Sequence, residues 1–510
     1  MGLEPYTGSW TRKHARHLIS RTNFGALKRD VDSALNDGSA SVAAGQIVDD
    51  AATIPLPEPP QWYNGGGSTG VDEIYELQRN WLEAMRTQGF IEKMTLFWHN
   101  HMPTQWTAND GKTNYSIAHL TYEYYKFLRL NALGNVEEII RGIGRNAAMH
   151  YYLDGYLNES GAANENYARE LLELFTMSQY DANGVENYSE NDIKEIAKAL
   201  TGWTVNSNRV VVFNSNRHDS SVKSFWGQSG NFGYDDVVDI VFAQRASQTA
   251  HYICRKLYTF FVHAIPDEAI VAELAADLVA QNFEMTPVIK KLLSSEHFYR
   301  ADFIGARIKS PIEYIIGFLR EAEVSPSGDM LDRIRDAITP INLGQEALNP
   351  PNVAGWPGVN PPDSSGNPGH HTWLTTSTLP ERWQVLNDII YDRFGAPYDP
   401  IDLAFKISDP SDPFSIAIDV AETIMPLELS EIGIREVEEP FGGNPDIPIP
   451  DQIVNGEPYV RNLSKILLDG SPFYEWPFIE DENSAGIDDA RKFVRAFIAY
   501  LVQLPAYQLT

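Results

Sequence analysis

Hydrophobic residues recur every three or four positions over most of the chain. Between Asp72 and His99 this spacing puts the apolar side chains on one face of a helix, and Gly89 predicts a break or kink within it. The first segment, 14–38, is predicted as helix, turn and helix. The same periodicity predicts helices in the segments 116–131, 135–150, 164–178, 189–200, 236–262, 266–281, 285–298, 309–322, 328–338, 378–393 and 487–503. The chain is therefore predicted to be mainly α.

Strand patterns are few. The β-branched run Val210-Val-Val-Phe213 beside the turn-prone Asn206-Ser-Asn208 predicts a small β-hairpin. No internal period of a solenoid is evident, so we predict one unit, 1–510: a large helical body with a small β-hairpin and long Pro/Gly-rich loops. The irregular parts are predicted as a surface connection at 53–70, a hairpin and polar loop at 204–235, a Pro/Gly/Trp loop at 349–376 and an irregular insertion at 436–475.

Composition and charge narrow the functional classes. With 43% hydrophobic residues the 510-residue chain can bury a large core, and 40 basic against 69 acidic residues give a net charge of −29, which argues against nucleic acid as a partner. Without a long apolar run or a basic, apolar start, we expect no membrane span and no signal peptide in this chain, which leaves a cytoplasmic location and export with a partner both open. The single cysteine, Cys254, is expected to be a buried structural thiol.

The segment Leu96-Phe-Trp-His-Asn-His-Met-Pro103 holds the first candidate site. Its histidines, His99 and His101, are two residues apart, about 200° around a regular helix, so they converge only where the backbone leaves the helix. Pro103 predicts such a helix end. The unpaired carbonyls there favour a cation, which suits a metal ion or a protonated imidazole. Alternatively, the rings form ordinary hydrogen bonds in a buried helix terminus.

The segment 164–175 is amphipathic and carries the second candidate site. Glu165, Arg169, Glu170 and Glu173 share its polar side. One interpretation is a solvated face with ion pairs four residues apart. The other is a cleft in which carboxylates bind a metal or act as general base and Arg169 orients them.

A third candidate is the polar loop Asn216–Lys223. His218 and Asp219 combine a neutral nitrogen ligand with an anionic oxygen ligand, and Lys223 can balance charge. We find no phosphate-binding glycine loop, no His-Glu-x-x-His, no Gly-x-Ser-x-Gly and no Cys-x-x-Cys, so common nucleotide-binding, zinc-protease and serine-hydrolase classes lose support.

Taken in order, these motifs resemble the DUF1800 family, a large family of bacterial proteins. The resemblance runs through 17–25, 97–101, 164–175, Ala199-Leu-Thr-Gly-Trp203, His218-Asp219 with Lys223, Lys309-Ser-Pro-Ile-Glu313, Pro350-Pro-Asn-Val-Ala-Gly-Trp-Pro357 and Leu504-Pro-Ala-Tyr-Gln-Leu509. It implies a mostly helical protein without an established activity, frequently encoded next to a DUF1501 protein, which itself resembles the sulfatase and alkaline phosphatase group and often carries a twin-arginine export signal. The family's recurrent polar positions map onto His99, His101, Asn164, Glu165, Arg169, Glu170, Glu173, His218 and Asp219.

These observations support a leading hypothesis and several alternatives. In the first, His99, His101, His218 and Asp219 bind a divalent metal (zinc, manganese or iron), Glu165 or Glu170 acts as ligand or base, Arg169 orients them, and the protein is a hydrolase or, with iron or copper, an oxidoreductase. In the second, the chain is a non-catalytic scaffold or partner subunit of a DUF1501-type protein. Carbohydrate binding by exposed tryptophans at positions 62, 106, 356 and 373 is a third. Whether the protein is an enzyme, and its oligomeric state, are left open.

Overall fold

The computed structural model describes residues 2–64, 70–113, 115–181, 183–362, 366–395, 398–436, 457–477 and 485–510. The chain is 58% helical, with two small two-stranded antiparallel sheets among these residues, so the predicted mainly α class is confirmed. The strands are β1 (Trp203–Val205) paired with β2 (Val211–Phe213), and β3 (Lys223–Phe225) paired with β4 (Gln228–Gly230).

The described residues form 23 α-helices. The first twelve are α1 (Arg12–Thr22), α2 (Lys28–Asn36), α3 (Ala40–Thr53), α4 (Gln61–Asn64), α5 (Val71–Gln88), α6 (Phe90–His101), α7 (Trp106–Asn109), α8 (Ile117–Asn131), α9 (Val136–Ile143), α10 (Ala147–Tyr152), α11 (Asn166–Glu170) and α12 (Glu190–Ala199). The others are α13 (Tyr234–Gln244), α14 (Ala246–Phe261), α15 (Glu268–Ala280), α16 (Met285–Leu293), α17 (Pro311–Glu321), α18 (Gly328–Ala337), α19 (Thr378–Ile390), α20 (Pro400–Ile407), α21 (Pro413–Ile424), α22 (Pro458–Leu468) and α23 (Ile487–Gln503). A π-helix, Leu171–Thr176, follows α11 directly.

Two local predictions are confirmed in detail. Gly89 separates α5 from α6, and its φ of 58° lies in the left-handed region that favours glycine. The predicted hairpin is the β1–β2 pair, with Trp203 opposite Phe213. Among the described helices, none combines the length and the hydropathy needed to cross a bilayer.

The chain divides into two compact units, whereas the sequence indicated a single one. Unit 1 comprises Met1–Thr7, Ala40–Phe298 and Gln345–Thr372, and unit 2 comprises Gly8–Ser39, Tyr299–Gly344 and Trp373–Thr510. Because each unit is assembled from three separate stretches of sequence, no composition change along the chain marks the division.

Several helices were not predicted. The alanine-rich helix α3 occupies 40–53, a stretch for which the sequence pattern predicted no helix. Within the predicted insertion 436–475, residues 437–456 lie outside the described part of the chain, and α22 occupies 458–468, so that part is not irregular. Pro458 begins α22 at its first position, where a missing backbone N–H costs nothing.

The centre of unit 1 is α6, all of whose twelve residues are buried. Near its start Glu92 pairs with Arg129 of α8 at 2.6 Å and accepts from the indole of Trp81 at 2.8 Å. Burial raises the pKa of Glu92, and the cation and hydrogen-bond donors around it oppose that effect. This buried ion pair fixes α6 against α8.

The centre of unit 2 is α17, which is also buried along its whole length. Gly25, at φ 103°, ends the predicted turn after α1, and a Cβ there would lie 2.6 Å from Cα of Gly317 in α17. The two glycines therefore allow the turn to pack directly on the α17 backbone.

Candidate functional site

The two histidines of α6 point in different directions. The helix continues through His101 and ends at Met102, before Pro103, so the predicted helix end is confirmed. Because the helical backbone includes both residues, their rings do not converge. Each ring lies in its own aromatic surroundings.

His99 is held by one hydrogen bond and two indole rings. Its Nδ1 lies 2.9 Å from the hydroxyl of Tyr124, and that hydroxyl donates to the carbonyl of Met102 at 2.6 Å. Because the hydroxyl proton of Tyr124 is used in the bond to Met102, we assign Nδ1 of His99 as the donor to the tyrosine oxygen. The lone pair of the ring is then on Nε2. Trp81 and Trp356 pack edge-on against the ring, and burial lowers the pKa of His99 to about 3. His99 is a neutral, structural imidazole in this geometry.

The Gly-Trp-Pro motif of the 349–376 loop is attached to the same helix. Asn100 accepts from the backbone N–H of Trp356 at 2.8 Å, and Trp356 is completely buried. A Cβ at Gly355, whose φ is 85°, would lie 2.4 Å from the Asn100 carbonyl oxygen. The motif therefore fixes the loop to α6. Trp106 and Trp373 are also buried, so the interpretation of these tryptophans as exposed sugar-binding residues is wrong.

His101 connects α6 to the second candidate segment. Its Nε2 lies 2.9 Å from the carbonyl oxygen of Phe175, to which it donates, inside the π-helix. Phe97 and Tyr252 flank the ring. Burial, with a smaller contribution from Lys256, lowers the pKa of His101 well below its ordinary value. A neutral His101 thus satisfies one carbonyl of an unusual helix.

The π-helix is the most distinctive local feature of the segment 164–178. Its wider turn is closed by a bond from the N–H of Met177 to the carbonyl of Leu172 at 3.0 Å, and the hydroxyl of Thr176 donates to the carbonyl of Leu171 at 2.7 Å. Such segments are rare and occur frequently at functional sites. The side chain of Asn187 donates to the carbonyl of Met177 at 3.0 Å and so caps its end.

Two carboxylates lie where α11 passes into the π-helix. Glu170 is half-buried, and burial together with the nearby charge of Glu173 raises its pKa to about 7. Glu173 accepts from the hydroxyl of Tyr188 at 3.3 Å. Burial and the charge of Glu170 raise the pKa of Tyr152 to about 12. A carboxyl group that exchanges its proton near neutral pH is therefore surrounded by phenols that keep theirs.

Helix α14 supplies the other side of this site. Burial and the charges of Glu173 and, more weakly, Glu170 raise the pKa of Tyr252, and its hydroxyl donates to no group within the described ranges. One turn further, the amino group of Lys256 lies 5.0 Å from the centre of the Tyr252 ring. Lys256 has no carboxylate partner among the described residues, and burial lowers its pKa to about 8. Neither residue was predicted from the sequence as part of a site, although their four-residue spacing puts them on one face of the helix.

Arg169 forms its ion pairs outside the carboxylate pair, although its charge opposes part of the rise in the pKa of Glu170. It binds both oxygens of Glu190, at 2.8 and 2.9 Å, and reaches Glu165 at 3.4 Å. The expected Glu165–Arg169 pair is therefore present, but the second partner is Glu190 of α12 rather than Glu173. Arg169 and Glu165 link α11 to α12 at the surface.

His218 and Asp219 belong to a separate loop that is attached to the Ala199–Trp203 motif. Nδ1 of His218 donates to the carbonyl of Thr201 at 3.0 Å, and the hydroxyl of Thr201 accepts from the N–H of Asp219 at 2.8 Å. Gly202, at φ 96°, allows this contact, since a Cβ there would lie 2.9 Å from Cβ of His218. Lys223 donates to the backbone carbonyl of Asp219. These bonds hold the loop closed.

The predicted metal ligands are not assembled into one set. Within the ranges that the structure describes, no three His, Cys, Asp or Glu side chains form a group that could hold a metal ion. His99, His101 and His218 each use one ring nitrogen for a local hydrogen bond. In this arrangement the described residues do not form the predicted zinc, manganese or iron centre. Metal binding by the protein stays a prediction.

The architecture is that of a mainly α protein in which the motifs 97–101 and 164–175 meet where His101 of α6 contacts the π-helix. The chain belongs to the family described as "Protein of unknown function (DUF1800)", which matches residues 17–509 of the 510. No curated protein matches the chain. No solved structure matches it either.

Proposed function

We propose that the protein is a hydrolase in which Glu170 acts as general base, where the α11–π-helix segment meets α14. The observation that carries the proposal is the position of Glu170: half-buried, at the start of a π-helix, beside a second carboxylate, with its pKa raised to about 7. A base is most effective when its pKa lies near the working pH.

The neighbouring side chains suit defined roles. Glu170 takes a proton from water, whose oxygen attacks the substrate; the bond to the leaving group then breaks, and Glu170 returns the proton to that group. The charge of Glu173 helps to raise the pKa of Glu170. Tyr252, which retains its proton, donates to the oxygen on which negative charge develops. Lys256, one turn away on α14, attracts an anionic part of the substrate. No step requires a metal, and His101 positions the π-helix through Phe175.

A panel of chromogenic carboxylic, phosphoric and sulfuric esters and glycosides, assayed with the full chain between about pH 5 and pH 9, tests the proposal. We expect hydrolysis of at least one class, with a rate that rises with pH around the pKa of Glu170. Glu170→Gln should abolish it. Glu165→Gln is the matched control, because it removes the same charge from the outer side of the same segment.

Two results would contradict the proposal. One is hydrolysis at the wild-type rate by Glu170→Gln. The other is an unchanged pH profile in Glu173→Gln, since loss of the neighbouring charge must lower the pKa of Glu170 and move the profile to lower pH.

A further inference from the structure

Unit 2 buries far more positive than negative charge, in a chain whose net charge is −29. Among the described residues of this unit, the buried charged side chains are six cations and two carboxylates: Arg16, Arg21, Arg307, Lys309, Arg320 and Arg382, against Glu313 and Glu321. Buried cations normally have anionic partners, because an uncompensated charge is costly to remove from water. Arg307 pairs with Glu313 and Arg320 with the partly exposed Asp30, which leaves Arg16, Arg21, Lys309 and Arg382 without an ion pair among the described residues.

The two carboxylates are already engaged. Glu313 accepts from Arg307 at 2.7 Å and from the backbone N–H of Ser310 at 2.7 Å, where it closes the N-terminus of α17. Glu321 accepts from the N–H of Ala26 at 3.0 Å and from the hydroxyl of Tyr507 at 3.1 Å. Neither forms an ion pair with the three cations described next.

Lys309, Arg382 and Arg21 retain buried donors without an acceptor in the described parts of the chain: Nζ of Lys309, Nη1 of Arg382, and Nε and Nη1 of Arg21. The amino group of Lys309 lies 3.9 Å from the centre of the Tyr507 ring, and this contact offsets only part of its desolvation. A buried donor without an acceptor requires an explanation, and an ion or water bound to it is one such explanation.

Two of the three cations, Lys309 and Arg382, are in contact, and Arg21 shares an interacting carboxylate with them. Arg382 donates to the backbone carbonyl of Lys309 at 3.0 Å, and its guanidinium stacks on the ring of Tyr314. Lys309, Arg382 and Arg21 all interact electrostatically with the same carboxylate, Glu313. They come from three different elements: α1, the segment before α17, and α19.

Arg16 connects this region to the surface. It lies within electrostatic range of Lys309 and Glu321, and it lines a pocket of about 300 Å³ together with Arg12, Lys13, Glu422 and Glu428.

We propose that unit 2 binds a small oxyanion of the phosphate or sulfate class between Lys309, Arg382 and Arg21. An ion with several oxygens accepts from more than one of these donors at once, which a halide ion does less well. The site uses the Lys309–Glu313 motif and the closing 504–509 motif, neither of which the proposed hydrolase site involves. The proposed oxyanion site is therefore independent of the proposed hydrolase function.

Equilibrium dialysis of the full chain against radiolabelled phosphate or sulfate, after purification in chloride and Tris, tests the proposal. We expect saturable binding of one ion per chain and a rise in Tm in phosphate or sulfate over chloride at equal ionic strength. Lys309→Met should weaken binding by roughly tenfold or more, because it removes a charged donor. Lys406→Met, which removes a surface lysine of the same unit, should bind like the wild type.

The result that would overturn the proposal is an absence of saturable wild-type binding at millimolar concentrations, with equal Tm values in phosphate, sulfate and chloride. Full binding by Lys309→Met would overturn it as well. If Lys309→Met does not fold, Lys309→Arg, which keeps the charge, replaces it and should both fold and bind the ion. The wild-type dialysis then decides whether the oxyanion site exists. Acetate, tested in parallel, distinguishes a carboxylate site from a tetrahedral oxyanion site.

Discussion

The substitution Glu170→Gln should change stability in a pH-dependent way. The folded protein binds the Glu170 proton more tightly than the unfolded chain does, so the wild type loses stability as the pH rises from about 4.5 to about 7. Glutamine resembles the protonated acid and does not titrate. The variant should therefore match the wild type near pH 4.5 and exceed it above pH 7.

The structure sets the size of this effect. The difference between the ordinary pKa of 4.5 and about 7 corresponds to a ceiling of about 3.4 kcal/mol, at about 1.36 kcal/mol for each pH unit. Because Glu170 is partly exposed, water screens the interaction, and we reduce the expected gain to about 1–2 kcal/mol. That gain is equivalent to a factor of about 5 to 30 in the opening equilibrium.

Hydrogen exchange of peptides that cover 166–177 measures the effect locally, which suits a chain of two units whose global unfolding need not be two-state. Variant and wild type are compared at the same pH, so that intrinsic exchange rates cancel. Protection of Glu170→Gln relative to the wild type should increase between about pH 5 and pH 8. Glu165→Gln should show no such trend. A flat or falling ratio for Glu170→Gln would show that folding does not raise the pKa of Glu170.

Three further predictions concern the scaffold around the site. Arg129→Met leaves Glu92 buried without its cation and should destabilise unit 1 by about 3–5 kcal/mol, measured as a fall in Tm. Gly355→Ala forces a side chain into a left-handed backbone 2.4 Å from an oxygen of Asn100 and should cost more than about 2 kcal/mol in denaturant unfolding. His99→Ala should leave the metal content unchanged in elemental analysis of protein purified without affinity metals, since its ring is enclosed by aromatic side chains.

Local patterns predicted the fold where they depend on neighbours in sequence. Gly89 indicated the break between α5 and α6, and the run beginning at Val210 indicated the β1–β2 hairpin. Helix α3 was not predicted because alanine contributes little to a hydrophobic periodicity even when it is buried. The division into two units was not predicted because it depends on contacts between distant stretches of sequence.

The candidate site was predictable only in part. The polar side of 164–175 was recognised, and Glu170 was among its proposed bases. The π-helix was not predicted, since it follows from contacts such as His101 with Phe175, which are 74 residues apart. Tyr252 lies further along the chain, and nothing near it in sequence indicates that it faces Glu170 and Glu173.

Infrared difference titration of the full chain, wild type minus Glu170→Gln, measures protonation at the proposed base directly. We expect a carboxylic acid band that disappears with a midpoint near pH 7 and shifts to lower pH in Glu173→Gln. A midpoint near 4.5, as for a freely solvated glutamate, would rule out Glu170 as the proposed general base.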